Sequence, residues 1–159
     1  MELSKIYNCG YEAIFVAMSA VFVAQILKVI WYLVTKKNVD FRLFTTTGGM
    51  PSSHAAGVMG LTTSVALITS INSIETAISL GFALIVMYDA AGVRRAAGKQ
   101  AACLNRIIMD IYKQELKEAG GKLKEWLGHT PVQVIVGAIF GIFYAYYIHI
   151  ILARFVTLS

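Results

Sequence analysis

The sequence predicts an all-α integral membrane protein, a helical bundle of about four transmembrane helices with one amphipathic interfacial helix. Three observations carry that prediction. Of the 159 residues, 57% are hydrophobic and only 14% charged, with a mean hydropathy of +0.66, whereas soluble domains run about 45–50% apolar and about 25% charged. Four stretches are nearly free of charge and close to the length of a bilayer-crossing helix, about 20 residues. The cations gather in the two segments that separate these stretches. Two prolines and the absence of repeats exclude collagenous, solenoid and low-complexity chains. Cys9 and Cys103 stand too far apart in sequence for a CxxC metal or redox motif. The whole chain, 1–159, reads as a single multi-pass domain.

The first span, about 11–35, is interrupted by Lys28, whose stem can snorkel to the interface or face the bundle. It is too long for the apolar region of a signal peptide, and no small-residue cleavage site follows it. The second span, about 55–71, contains no charge, and the polar elbow Thr69-Ser70-Ile71-Asn72-Ser73 returns the chain into a third span at about 76–93. The fourth covers about 130–153, with Gln133 and His149 as its strongly polar members. His149 follows Tyr146-Tyr147-Ile148, where amphipathic rings settle at headgroup level, and is read as structural. All four are helices because only a helix or a closed barrel satisfies every backbone group in lipid.

Between the third and fourth spans, Leu104, Ile107, Ile108, Ile111 and Leu116 recur at helical spacing opposite Arg106, Asp110, Lys113 and Lys117. This predicts an amphipathic helix at about 99–118, lying in the interface, covering the bundle or joining two copies. Eleven of the 14 Lys/Arg lie in this segment and in the loop after the first span. The positive-inside rule therefore places both basic loops in the cytoplasm and both termini outside.

Two helix mouths draw attention. Gly48-Gly49-Met50-Pro51-Ser52-Ser53-His54 leads into the second span: the glycines permit close backbone approach, Pro51 suits a first turn, and the serines offer hydroxyls beside free N–H groups. An anion site or a plain N-cap would both look this way. Gly128-His129-Thr130-Pro131-Val132-Gln133 opens the fourth span, with Thr130 as N-cap and Pro131 at N1. Because spans two and four run in the same direction, His54 and His129 fall on one membrane face, the face that also carries Arg94 and Arg95. Cleaving a phosphate ester requires cations for the non-bridging oxygens, a nucleophile, and an acid for the leaving alkoxide. Two histidines and a basic cluster provide these groups without a metal or other cofactor, and the acid near this face, Asp89, does not make a carboxylate cluster.

The glycine-rich mouth through His54, the stretch Tyr88-Asp89-Ala90-Ala91-Gly92-Val93-Arg94-Arg95 with Lys99, and Gly128-His129-Thr130-Pro131 followed by Gly137 resemble the divergent branch of the type 2 phosphatidic acid phosphatase superfamily, which is related to acid phosphatases and vanadium haloperoxidases. The resemblance spans nearly the whole chain. It implies His54 as general acid and His129 as the nucleophile that becomes phosphohistidine. Gly49, Ser52, Ser53, Arg94, Arg95, Lys99 and Arg42 would bind substrate, and Gln133 and Asp89 would orient the histidine. Ser53 stands where the family motif has glycine, Leu123 where it has arginine, and Gln133 where it has aspartate. The implied activity is that of a metal-independent phosphatase on a lipid phosphomonoester or pyrophosphate. The expected partners are the lipid bilayer and a phosphorylated lipid, with no nucleic acid, and a homodimer that would thicken the thin core. The rival from another class is a non-catalytic member that binds anionic lipid or a protein through the same face. A transporter subunit has little support, because the spans carry too few paired polar groups.

Overall fold

The computed structural model describes residues 6–36, 49–111 and 128–158. Five helices form the fold: α1 (Gly10–Lys36), α2 (Ser53–Thr69), α3 (Ile74–Ala91), α4 (Val93–Ile111) and α5 (Pro131–Leu158). No strand occurs among the described residues. Three runs are long and apolar enough to cross a membrane, Gly10–Thr35, Ile74–Ile108 and Pro131–Leu158. Helix α2 has only 17 residues and lies between α1, α3 and α5, touching all three.

The boundaries move for local reasons. Ser52 caps α2, its Oγ accepting the Ala55 N–H at 3.4 Å, so the helix opens at Ser53 and Pro51 lies outside it rather than in its first turn. Ser73 caps α3 by accepting the Thr76 N–H at 3.1 Å, while the Thr76 hydroxyl donates to the Ser70 carbonyl at 2.8 Å. Gly92 ends α3, and α4 follows at once, so the amphipathic helix opens at Val93 and takes in both arginines of the Arg94-Arg95 pair. Residues 112–118, the remainder of that expected helix, lie outside the described residues. Helix α5 continues to Leu158, with Arg154 exposed near its end.

Lipid tails are as apolar as leucine, so helices in a membrane associate through close backbone approach and interhelical hydrogen bonds. Helix α2 is built for that role, with Ala55, Ala56, Gly57, Gly60, Thr62, Thr63 and Ser64 buried. A Cβ added at Gly137 of α5 would meet the Ser52 carbonyl oxygen at 2.3 Å, and one at Gly141 would meet that of Ala56 at the same distance. The Thr62 hydroxyl donates to the Val58 and Ser79 carbonyls at 2.9 and 3.1 Å, tying α2 to α3. Large side chains such as Phe22, Phe82 and Phe143 point outward, toward lipid.

At the end of the bundle where α1 begins and α5 ends, a polar clasp holds the two helices together. The Glu12 carboxylate is fully buried; one oxygen accepts the Asn8 N–H at 2.7 Å and the other pairs with His149 Nδ1 at 2.5 Å, with the Tyr7 ring 5.3 Å from the imidazole. His149 is thus the partner of a buried acid that hydropathy alone had hidden in the first turn of α1.

Candidate functional site

The opposite end of the bundle brings the α2 and α5 mouths side by side. Two glycines of α5 let it lie directly against the backbone of α2, and the Ser52 N–H donates to the Gln133 carbonyl at 3.1 Å, pinning one mouth to the other. The His129 N–H donates to the Ala90 carbonyl at 3.1 Å, which attaches the α5 mouth to the last turn of α3. The His54 and His129 rings consequently meet edge to face, centroids 5.9 Å apart.

His129 is 1% exposed, and its surroundings fix its tautomer. Thr130 and Gln133 form a reciprocal capping box: the Gln133 N–H donates to Thr130 Oγ1 at 3.3 Å, and the Thr130 N–H donates to Gln133 Oε1 at 3.0 Å. A backbone N–H only donates, so the amide atom facing it is the oxygen. That oxygen also lies 3.4 Å from His129 Nδ1. It has a second lone pair and no proton, so Nδ1 carries the hydrogen and Nε2 carries the lone pair. Nε2 is buried and, among the described residues, has no hydrogen-bond partner.

Burial lowers the pKa of His129, and the nearby charges of His54 and Lys28 lower it further; the Gln133 side chain and the Gly49 backbone oppose the shift. The ring is therefore held neutral at pH values where a free imidazole would begin to protonate.

Lys28 belongs to this site. It is 2% exposed, and its stem lies against Gly49, where an added Cβ would stand 2.8 Å from Lys28 Cδ. Gly49 has φ +90°, a conformation that favours glycine, and its missing side chain leaves the room that the lysine stem occupies. The alternatives of snorkelling and facing the bundle are thus resolved toward the bundle. The sequence did carry a signal: a single cation inside a span whose other charge is Glu12, at its far end, marks a functional position. The Thr130-Pro131-Val132-Gln133 capping box was legible as well.

The other expected residues are distributed as follows. Ser52 and Ser53 are buried at the α2 mouth. Asp89 is half-buried in the last turn of α3, next to the Ala90 carbonyl that holds His129. Lys99 is exposed on α4, and the backbones of Arg94 and Arg95 form the first turn of that helix. Arg42 lies outside the described residues. Among those residues, no group of three or more His, Cys, Asp and Glu side chains is placed to hold a metal ion.

The architecture is that of a membrane-embedded helical bundle with a histidine pair and a buried lysine where two helix mouths meet. The chain belongs to the Divergent PAP2 family, which it matches over residues 10–144. It is 42% identical over 136 residues to the "Uncharacterized membrane protein YuiD" of Bacillus subtilis (strain 168), an alignment covering 79% of this chain and 86% of that protein. No solved structure matches the chain.

Proposed function

We propose that the protein hydrolyses a terminal phosphate, as a monoester or pyrophosphate, on a membrane lipid, through a phosphohistidine at His129. The observation that carries this reading is the buried Nε2 of His129, left with a lone pair and no partner while Nδ1 is committed to Gln133. Nε2 attacks phosphorus, an N–P bond forms, and the P–O bond to the leaving group breaks. His54, in its protonated form, gives a proton to the departing alkoxide or phosphate. The same residue, now neutral, takes a proton from the water that cleaves the N–P bond. Lys28 supplies positive charge to the non-bridging oxygens, with Arg94, Arg95 and the Ser52-Ser53 mouth as further anion-binding groups. A site enclosed this tightly suits a terminal phosphate better than a diester. The concentration of cations on this face supports a cytoplasmic orientation.

The test uses the full-length protein in proteoliposomes supplied with lipid phosphomonoesters and lipid pyrophosphates. Phosphate release should survive EDTA and be inhibited by vanadate, and acid-quenched samples should contain phosphohistidine. His129→Ala should abolish both release and label; His54→Ala should slow release by about 10²–10⁴, the usual contribution of a general acid. Unchanged release by His129→Ala would remove the nucleophile assignment. Activity lost in EDTA and restored by magnesium would replace the phosphohistidine route. A second reading, a non-catalytic lipid-phosphate binder, draws on the neutral amide at 133; binding without turnover in any variant would select it.

A further inference from the structure

Helix α4 presents three faces. At 100° per residue, Val93, Leu104 and Ile107 fall within an arc of about 60°, and they are 58, 49 and 47% exposed. Lys99 and Arg106, both exposed, form a second edge, and buried Gly98 and Asn105 form a third. The three directions lie about 120° apart. Among the described helices α4 touches α3 alone. It holds four cations, Arg94, Arg95, Lys99 and Arg106, against the single acid Asp110.

Length determines where such a helix can lie. The 18 residues of α3 rise about 27 Å, close to the whole of a hydrocarbon core of about 30 Å. A straight continuation would carry Arg106 roughly 20 Å beyond the core and leave Leu104 and Ile107 in water. Gly92, at φ −105° and ψ −77°, joins the two elements, and helical bonds run through it: its N–H donates to the Tyr88 carbonyl at 2.9 Å and its carbonyl accepts the Ala96 N–H at 3.0 Å. A glycine at this junction lets the chain tilt α4 so that the apolar ridge would enter the acyl boundary and the cationic edge would meet the headgroups.

We propose that α4 is a docking surface for anionic lipid: Val93, Leu104 and Ile107 enter the leaflet while Lys99 and Arg106 engage acidic headgroups. Gly92 lies two residues beyond Ala90, whose carbonyl holds His129, so docking of α4 sets the level of the histidine mouth at the headgroup plane. This inference rests on the membrane placement of the chain and not on the phosphatase reading.

The test needs no turnover. In full-length protein carrying Cys9→Ala and Cys103→Ser, a single cysteine is introduced as Leu104→Cys or Lys99→Cys and labelled with a polarity-sensitive fluorophore. Each variant is reconstituted in phosphatidylcholine vesicles with or without phosphatidylglycerol. With phosphatidylglycerol, the probe at 104 should be quenched severalfold more by chain-labelled spin lipids than the probe at 99, and the probe at 99 severalfold more by aqueous iodide. Adding Arg106→Gln to the 104 probe variant should remove much of the phosphatidylglycerol response, by a factor near five for the one cation lost, the equivalent of about 1 kcal/mol. Equal iodide access at both positions would overturn the proposal. Shielding of position 104 from both quenchers would also overturn it, showing a protein surface, this bundle or a second copy, as the occupant.

Discussion

Gly137→Ala is the most direct perturbation of the site that touches none of its reacting groups. The new Cβ would stand 2.3 Å from the Ser52 carbonyl oxygen, 3.1 Å from its carbonyl carbon and 3.1 Å from Ser52 Cβ. Ordinary carbon–oxygen contact needs more than 3 Å, and none of the three atoms is the far end of a flexible side chain, so α5 must retreat from α2 by about 1 Å. The Ser52 N–H to Gln133 carbonyl bond, 3.1 Å as found, lies beside the displaced atoms and would open. His54 and His129 would separate by a similar amount, and a misplacement of about 1 Å costs on the order of 10²-fold in rate. Overpacking of this kind also costs about 1–3 kcal/mol of stability. The matched control is Gly81→Ala, since nothing lies within 4 Å of an added Cβ on that exposed position of α3. Alanine in place of a mid-helix glycine is worth about 0.5–1 kcal/mol in the favourable direction. Thermal unfolding in detergent and phosphate release in proteoliposomes, measured for both variants, form the assay. Wild-type stability and turnover in Gly137→Ala would refute the claim that close α2–α5 contact brings the two mouths together.

Lys28→Met, which keeps an unbranched stem against Gly49, should lower kcat/KM by roughly 10- to 100-fold, the worth of one charge-assisted contact at about 1.5–3 kcal/mol, while the melting temperature holds or rises; a variant with unaltered kinetics would take Lys28 out of the site. The depressed pKa of His129 predicts that the acid limb of kcat/KM lies below the usual imidazole value of about 6.5, and that Lys28→Met moves it upward. In stability the sign is the same: below about 6.5 the unfolded chain takes up the proton before the folded one does, so the contribution of His129 is complete above that value and is lost as pH falls toward the folded-state pKa. A melting profile that improved on acidification through that window, with His129→Gln as reference, would contradict it. The proposed orientation predicts that a membrane-impermeant maleimide applied to intact cells labels Cys9 and leaves Cys103 unlabelled until permeabilisation; the reverse pattern would invert the topology.

Much of the fold was legible because the bilayer imposes coarse rules. Stretches near 20 residues with little or no charge, a Thr-Ser-Asn elbow and Thr130 before Pro131 each have a local cause, and each produced an element close to where the sequence placed it. The helix pair at the mouths was legible too, since parallel spans must share a face. What escaped was tertiary. Nothing local to Lys28 states that its stem will lie on Gly49, a residue more than 20 positions away, rather than snorkel to the nearest interface. Glu12 reads as an acid in a first turn, and only the approach of α5 supplies the His149 that compensates its burial. Helix α2 looked like a span equal to the others, yet its small buried residues make it the element around which α1, α3 and α5 assemble. Small residues in apolar runs are abundant, so their pairing across α2 and α5 emerges only when a missing Cβ is seen facing a carbonyl.

The amide at position 133 sharpens the phosphatase reading rather than simply weakening it. Replacing the acid of a serine triad by an amide costs about 10⁴ in kcat, largely because the amide can hold the imidazole in the wrong tautomer. Here that failure is blocked, because the Thr130 N–H at 3.0 Å requires the oxygen of Gln133, and the same oxygen then faces His129 Nδ1. Only charge stabilisation of the developing imidazolium is forgone, and the 3.4 Å separation leaves the contact room to shorten as charge builds. Gln133→Glu keeps the capping box and adds the missing charge, so it should raise kcat, by well under 10⁴, and raise the pKa of His129 with it. Gln133→Leu removes the side-chain cap and the orienting oxygen together; it should lower kcat by orders of magnitude and cost about 1 kcal/mol of stability, the usual worth of a helix cap. If Gln133→Leu kept full turnover while His129→Ala was inactive, another group would have to orient the ring, and Asp89, beside the carbonyl that holds His129, would be examined next by Asp89→Asn.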